Sequence, residues 1–213
     1  MIKYLSKRIL ISMGCFFSLK PFIYINQTCN FIFNNLYSGW VKGQMSVSGK
    51  IFFTKKPFHF FNGKNIFIGE NFSSSRRNRF ETFNSFNNES FTPRIEIGDN
   101  FIINDDCHFA CINKIKIGNN VLFASKIFIT DHFHGETSIE SINYIPLHRS
   151  LTSKGIVVIG DNVWVGEGVC IMPNVNIGNN CIIGANSVVT KNFPENSVIA
   201  GNPAKIIYVI GEK

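Results

Sequence analysis

Between residues 159 and 194 the chain repeats itself every six residues: "IGDNVW VGEGVC IMPNVN IGNNCI IGANSV VTKNFP". Ile159, Val165, Ile171, Ile177, Ile183 and Val189 open successive hexads, and Val163, Val169, Val175, Cys181 and Ser187 stand four places after the first five. A helix needs apolar residues three and four apart and does not tolerate this density of glycine and asparagine. Six residues instead make a short strand and a corner. The first and fifth positions point inward, and Gly and Asn take the corner, where positive φ costs them little. Three such sides close a triangular coil, and coils paired in parallel stack about 4.8 Å apart.

The pattern continues upstream in patches: "IGEN" at 68–71, "IGDNF" at 97–101 with Ile103 and Phe109 following, and "IGNNV" at 117–121 with Phe123 and Ile129. Ile97 to Ile117 is twenty residues, one coil of eighteen with two inserted. After Ile129 the register is lost over 131–155 and resumes at Ile159. A loop of about 25 residues thrown out of a solenoid is uncommon unless it does something. It opens with "DHFHG" (131–135), which holds His132 and His134, two of only five histidines.

With 213 residues the chain has room for one domain or one and a half and a sizeable core, and 22 phenylalanines fit a packed protein. The net charge of +7 suits nucleic acid, an anionic membrane or a phosphorylated small molecule. Beyond "SSSRRNRF" (73–80) no basic run is interleaved with aromatics, so nucleic acid is not expected as a partner. The six cysteines (15, 29, 107, 111, 170, 181) lack metal-pair spacing, since no second pair answers Cys107 and Cys111. They are read as reduced thiols in a reducing compartment.

The start of the chain imitates a signal peptide, with basic residues before an apolar stretch at 9–19, but no small-x-small site follows. "SMGC" resembles a lipoprotein box with serine where leucine belongs. Lys20-Pro21 breaks the apolar run before it is long enough to span a bilayer. The expectation is an amphipathic helix that either packs on the domain or lies on a membrane surface through residues 1–26. Residues 1–65 are thus read as a partly helical N-terminal segment, 66–205 as the β-helix, and 206–213 as a tail.

The segments 131–135 and 148–205, and more loosely 97–130, resemble the hexapeptide-repeat acyltransferases. Within them the match is to the galactoside/maltose acetyltransferase-like branch, and in particular to O-acetyltransferases encoded with bacterial O-antigen, capsule and exopolysaccharide genes. The resemblance covers roughly half the chain. It implies a left-handed parallel β-helix, a hand that spacing alone does not set. It also implies acetyl-CoA as cosubstrate with no metal, a cytoplasmic homotrimer, and sites shared between neighbouring subunits.

An alcohol is a poor nucleophile while it holds its proton, and an imidazole with an ordinary pKa of about 6.5 suits the removal of that proton. The resemblance gives this role to His132, with His134 ordering the loop or contacting the acceptor. It marks Asn104 as a substrate contact, although "NDD" around it differs from the family. Trp164 in "NVWVG" matches a residue near the thiol end of CoA, or else makes a subunit contact. Gly184-Ala185 matches a corner that receives the pantetheine amides, and Thr190, Lys191 and Lys205 match positions at the nucleotide end. Tyr208 stands where galactoside-type enzymes place a second arginine, a departure from the pattern.

The expected reaction is acetyl transfer to a hydroxyl of a surface polysaccharide sugar or its precursor, direct and within a ternary complex. One alternative is N-acetylation of a nucleotide-linked amino sugar, whose enzymes often carry an N-terminal nucleotide-sugar domain; no G-x-G-x-x-G stands here. A second is a γ-type carbonic anhydrase, which would need His108, His132 and His134 to converge on one metal. A third is a non-catalytic scaffold.

Overall fold

The structure, a computed structural model, describes residues 2–47, 49–136 and 138–212. Its body is a parallel coil with three flat faces. The first face holds six strands from Ser46–Val47 to Asn176–Ile177, and the third holds six from Phe58–Phe61 to Val188–Val189. The second face holds eight, from Phe52–Thr54 to Ala204–Val209. Every pairing between successive coils is parallel, and only the last strand of the second face turns back, antiparallel to Ser197–Gly201.

Val47, Ile68, Ile97, Ile117, Ile159 and Ile177 share one column, so successive coils take 21, 29, 20, 42 and 18 residues. The six hexad-opening residues and the five that follow four places later are all buried. The ladder begins at Ser46, twenty residues upstream of residue 66, where the sequence pattern becomes legible. The earliest coils are filled by phenylalanine instead of isoleucine. Phe72 stacks on Phe52 (4.8 Å between centroids), and Phe80 lies flat on Phe109 at 4.3 Å.

Asparagine holds the corners. Asn71, Asn100, Asn120, Asn162, Asn180 and Asn196 all have φ between 55° and 60°. The side-chain amide of each of the first five donates to the side-chain carbonyl of the next at 2.8–3.1 Å. The residue type that tolerates the left-handed corner therefore also ties one coil to the next. Close stacking needs glycine beside it: a Cβ on Gly98 would lie 2.7 Å from the carbonyl oxygen of Gly118.

Two helices precede the coil, α1 (Ile2–Phe17) and α2 (Lys20–Lys42), with a 73° bend between Ile9–Phe17 and α2. Leu19 is extended and Pro21 sits in the first turn of α2, which accounts for the break. The last turns of α2 cover the open end of the coil. Val41 is fully buried, the Tyr37 hydroxyl accepts from Phe58 N–H and donates to its carbonyl (both 3.0 Å), and Ser38 Oγ accepts from Thr54 N–H at 2.8 Å. Lys42 Nζ donates to the carbonyls of Gly49 and Lys50. Among the described residues no single helix is long and apolar enough to cross a membrane.

The coil from Ile117 to Ile159 carries the largest insertion. Phe133–His134 pairs antiparallel with Leu151–Thr152, and a short helix α3 (Ile139–Ile142), capped by Ser138, and a 3-10 turn at Pro146–His148 lie between them. A second insertion forms the hairpin Ser85–Phe86/Glu89–Ser90, whose turn residues Asn87 and Asn88 have positive φ. The two insertions touch: Asn87 donates to the Leu147 carbonyl at 3.0 Å, and the Ser150 hydroxyl donates to Glu89.

Candidate active site

The strand Phe128–Thr130 delivers the chain to the corner between the third and first faces, and Asp131 occupies that corner, fully buried. Its carboxylate accepts from Ile112 N–H (3.0 Å), Asn113 N–H (2.8 Å) and the Cys111 thiol (3.2 Å). The fourth partner is His132, whose Nδ1 lies 2.9 Å from Asp131 Oδ1. A carboxylate only accepts, so Nδ1 carries the hydrogen. In the neutral ring the lone pair is then on Nε2, which takes no hydrogen bond among the described residues. Thr130 Oγ1, 3.3 Å from Nδ1, and the edge of Phe83, 6.2 Å between centroids, complete the ring's surroundings. His132 is 8% exposed, so it reaches solvent at one side only.

That side opens on a groove of about 360 Å³ on the third face, lined by Glu81, Phe83, His108, Phe128 and Phe133 as well as His132 and His134. His134 is exposed and meets Phe86 edge-on at 5.4 Å. His108 has both ring nitrogens engaged, Nε2 with Glu81 and Nδ1 with Arg79, each at 2.9 Å. Burial holds its pKa below the ordinary imidazole range, opposed by the Glu81 carboxylate. The three histidines thus share a groove, but His108 is committed to an ion-pair cluster. No group of three His, Cys, Asp or Glu is placed to hold a metal among the described residues. Burial pushes the Cys107 thiol up to about 12, and burial with the Asp131 charge pushes Cys111 further up, so neither is a thiolate near neutral pH.

The remaining candidates divide between two edges of the third face. Backbone N–H groups of Asn104, Ala124, Gly166 and Gly184 each donate to the next coil (to Phe123, Val165, Ile183 and Ile199), which stacks these four residues at the corner between the second and third faces. Ala185 is exposed beside them. Trp164, 52% exposed, belongs to an outward column on the second face with Ile102, Leu122 and Ile182. Lys205 lies on the final strand opposite Ala200, and Tyr208 opposite Val198. Thr190 and Lys191 follow Val189, which pairs with Ile171 and through it with Ile129, so they stand on the edge of His132. Lys191 Nζ rests 5.6 Å from the Phe193 ring. One face, about 15–20 Å wide, separates the Asn104–Gly184 column from His132 within a single chain.

Asp131 stands inside the DHFHG motif, but only the fold shows its role. Glu81, Arg79 and Phe83 belong to no local motif; the parallel register Ala110↔Glu81 brings them to the groove.

Residues 156–191 match the family model "Bacterial transferase hexapeptide (six repeats)". The chain is 44% identical over 155 residues, 71% of its length and 75% of the relative's, to the Escherichia coli K12 protein described as lipopolysaccharide biosynthesis O-acetyl transferase WbbJ. Among solved structures, a maltose O-acetyltransferase of Clostridium difficile superimposes with a TM-score of 0.57 at 28% identity, covering 87% of this chain and 84% of that one. A galactoside acetyltransferase with coenzyme A bound gives 0.53 at 27%, covering 81% and 69%. AntD, an N-acyltransferase of Bacillus cereus, gives 0.66 at 18% identity, covering 81% and 88%, a likeness of fold. The coil is accordingly the left-handed parallel β-helix of these enzymes, and the chain belongs to the hexapeptide-repeat acyltransferase family as one of its acetyltransferases.

Proposed function

We propose that the protein transfers an acetyl group from acetyl-CoA to a sugar hydroxyl of a bacterial surface polysaccharide or its precursor, with His132 as general base. The observation that carries this is the pairing of a buried Asp131 with Nδ1 of His132, which leaves Nε2 as a lone pair beside an aromatic-lined groove. Nε2 takes the hydroxyl proton as the oxygen attacks the thioester carbonyl, and the resulting imidazolium is stabilised by Asp131. The same proton passes to the departing thiolate. Backbone N–H groups at a coil corner meet the oxyanion. With the thiols of Cys107 and Cys111 held protonated, transfer is direct, without an acyl-enzyme.

The Asn104–Gly184 column fits a pantetheine arm. A Cβ on Gly166 would lie 2.7 Å from the Ala185 amide nitrogen, so the coils stack too closely at this corner for a side chain. Trp164 flanks the thiol end, Gly184 and Ala185 meet the amides, and Thr190, Lys191 and Lys205 face the phosphates. Asn104 and His134 contact the acceptor. The separation of this column from His132 within one chain, and the outward apolar column Ile102–Leu122–Trp164–Ile182, support a homotrimer in which each site joins edges of two subunits. We place the reaction in the cytoplasm, where acetyl-CoA is supplied, with residues 1–26 as the segment that meets the inner membrane.

The test is release of CoA thiol by the purified protein across a panel of sugars and glycans. Product ester on a hydroxyl supports the reading, whereas turnover restricted to nucleotide-linked amino sugars, as the shared fold with AntD would suggest, replaces it.

A further inference from the structure

The net positive charge of this protein is confined to one end. Residues 1–69 hold nine lysines and arginines and no acidic residue, whereas residues 70–213 hold twelve basic and fourteen acidic ones. The first segment is therefore +9 and the rest −2. No ion pair among the described residues involves a residue before Arg77.

The same end carries the largest display of apolar side chains. Leu10, Phe16, Phe17, Phe31, Phe33 and Leu36 are each at least half exposed. They rise from a helical arm in which only the last turns of α2 touch the coil. Asn26, Asn30 and Asn34 form an uncharged polar stripe along α2, in which the Asn30 amide donates to Asn26 at 3.1 Å. At the foot of α2, Phe33, Leu36 and Tyr37 border a groove whose other wall includes Lys56 and Arg76, both exposed and outside any ion pair among the described residues.

We infer that α1 and α2 dock the protein on an anionic lipid bilayer, lying in the plane of the interface. The apolar side chains enter the headgroup–acyl boundary while Lys7 and Lys20, with Lys56 and Arg76, meet lipid phosphates. Neither helix is long and apolar enough to span by itself. Val41 and Ser38 are fixed to the first coil, and the uncharged stretch left in α2, residues 21–36, is about 24 Å long, short of a hydrocarbon core of about 30 Å. A second copy of the chain is a poor occupant for this surface, because it would bring two acid-free cationic segments together. The inference rests on the placement of the N-terminal segment at a membrane and not on the reading of the catalytic groove.

Full-length protein is sedimented with phosphatidylcholine vesicles with and without phosphatidylglycerol. Binding to the anionic vesicles is expected to be about tenfold or more tighter, and to be released by about 0.5 M salt. Phe31→Ser/Phe33→Ser, at exposed positions, should weaken binding about tenfold while thioester turnover in solution is kept. Equal binding to both vesicle types, or none, overturns the proposal. So does light scattering that shows a lipid-free assembly dissolved by the same double substitution. Loss of turnover in solution by the wild-type chain would count against the catalytic reading alone.

Discussion

Asp131 Oδ1 and His132 Nδ1 lie 2.9 Å apart, and the other acceptor sites of that carboxylate are filled by two backbone N–H groups and a thiol. The aspartate is fixed from the far side, so it fixes the histidine in turn. His132→Ala should lower kcat roughly a hundredfold or more, as for loss of a positioned base, with CoA affinity kept in a calorimetric titration. His134→Ala should do less and act mainly on the acceptor KM. An essential His134 beside a dispensable His132 would reverse the assignment.

Asp131→Asn tests the orientation itself. An amide cannot accept from Ile112, Asn113 and His132 at once without turning its own N–H₂ toward one of them. The expected result is a kcat reduced by about tenfold or more with little change in KM, and a loss of stability of about 1–3 kcal/mol in denaturant unfolding.

His108 gives the stability a pH dependence. Its pKa is lower in the folded chain than in the unfolded one, because burial disfavours the charged ring. Above the unfolded value of about 6.5 both states are neutral and its contribution is fully present. As pH falls below that value the unfolded chain takes up the proton first, and stability declines until the folded pKa is passed. Melting curves of His108→Gln should therefore be flatter than wild type from about pH 6.5 downward. Glu96 acts lower on the scale. Burial raises its pKa, but Lys114 and Arg94 more than offset this, so its contribution is present above the unfolded carboxylate value and lost as pH falls through the depressed folded one.

Asn120 donates to Asn162 at 3.1 Å and accepts from Asn100 at 2.8 Å, with φ of 56°. Asn120→Ala should cost about 1–3 kcal/mol in thermal unfolding, from two lost amide contacts and a strained backbone. Asn120→Gly relieves the strain but not the lost contacts, and should fall between the two.

Leu122, 42% exposed in the outward column beside Trp164, tests the assembly. Leu122→Asp should give a folded monomer by light scattering with turnover lost. A fully active Leu122→Asp monomer would show that one chain suffices for the site.

How much of this was legible beforehand depends on what each coil is made of. From Ile159 to Val189 the coil repeats every eighteen residues, uninterrupted, with Gly or Asn at the positive-φ position of its corners, and the sequence spells it out. From Ser46 to Phe61 the same coil is built on Phe52 and Phe58, its corners lack the Gly-Asx-Asn triplet, and its pairing with later strands spans 20 or 21 residues, so no local period survives. His132 was visible because it sits where the period breaks. Its partner Asp131 was visible as a letter but not as a buried anion, since burial depends on Ile112 and Asn113 one coil earlier. Glu81 and Arg79 depend on register alone.

The antiparallel strand Ala204–Val209 and the last turns of α2 sit at opposite ends of the stack. Between them the strands lie in the arrangement from which fibrils elongate, each face offering its unpaired N–H and C=O groups to whatever strand comes next. Tyr37 and Ser38 occupy those groups at one end with their own hydroxyls, and the returning strand covers the second face at the other. The molecule is a filament with a stopper at either tip. Removing α2 should uncover that edge and turn the molecule into a seed.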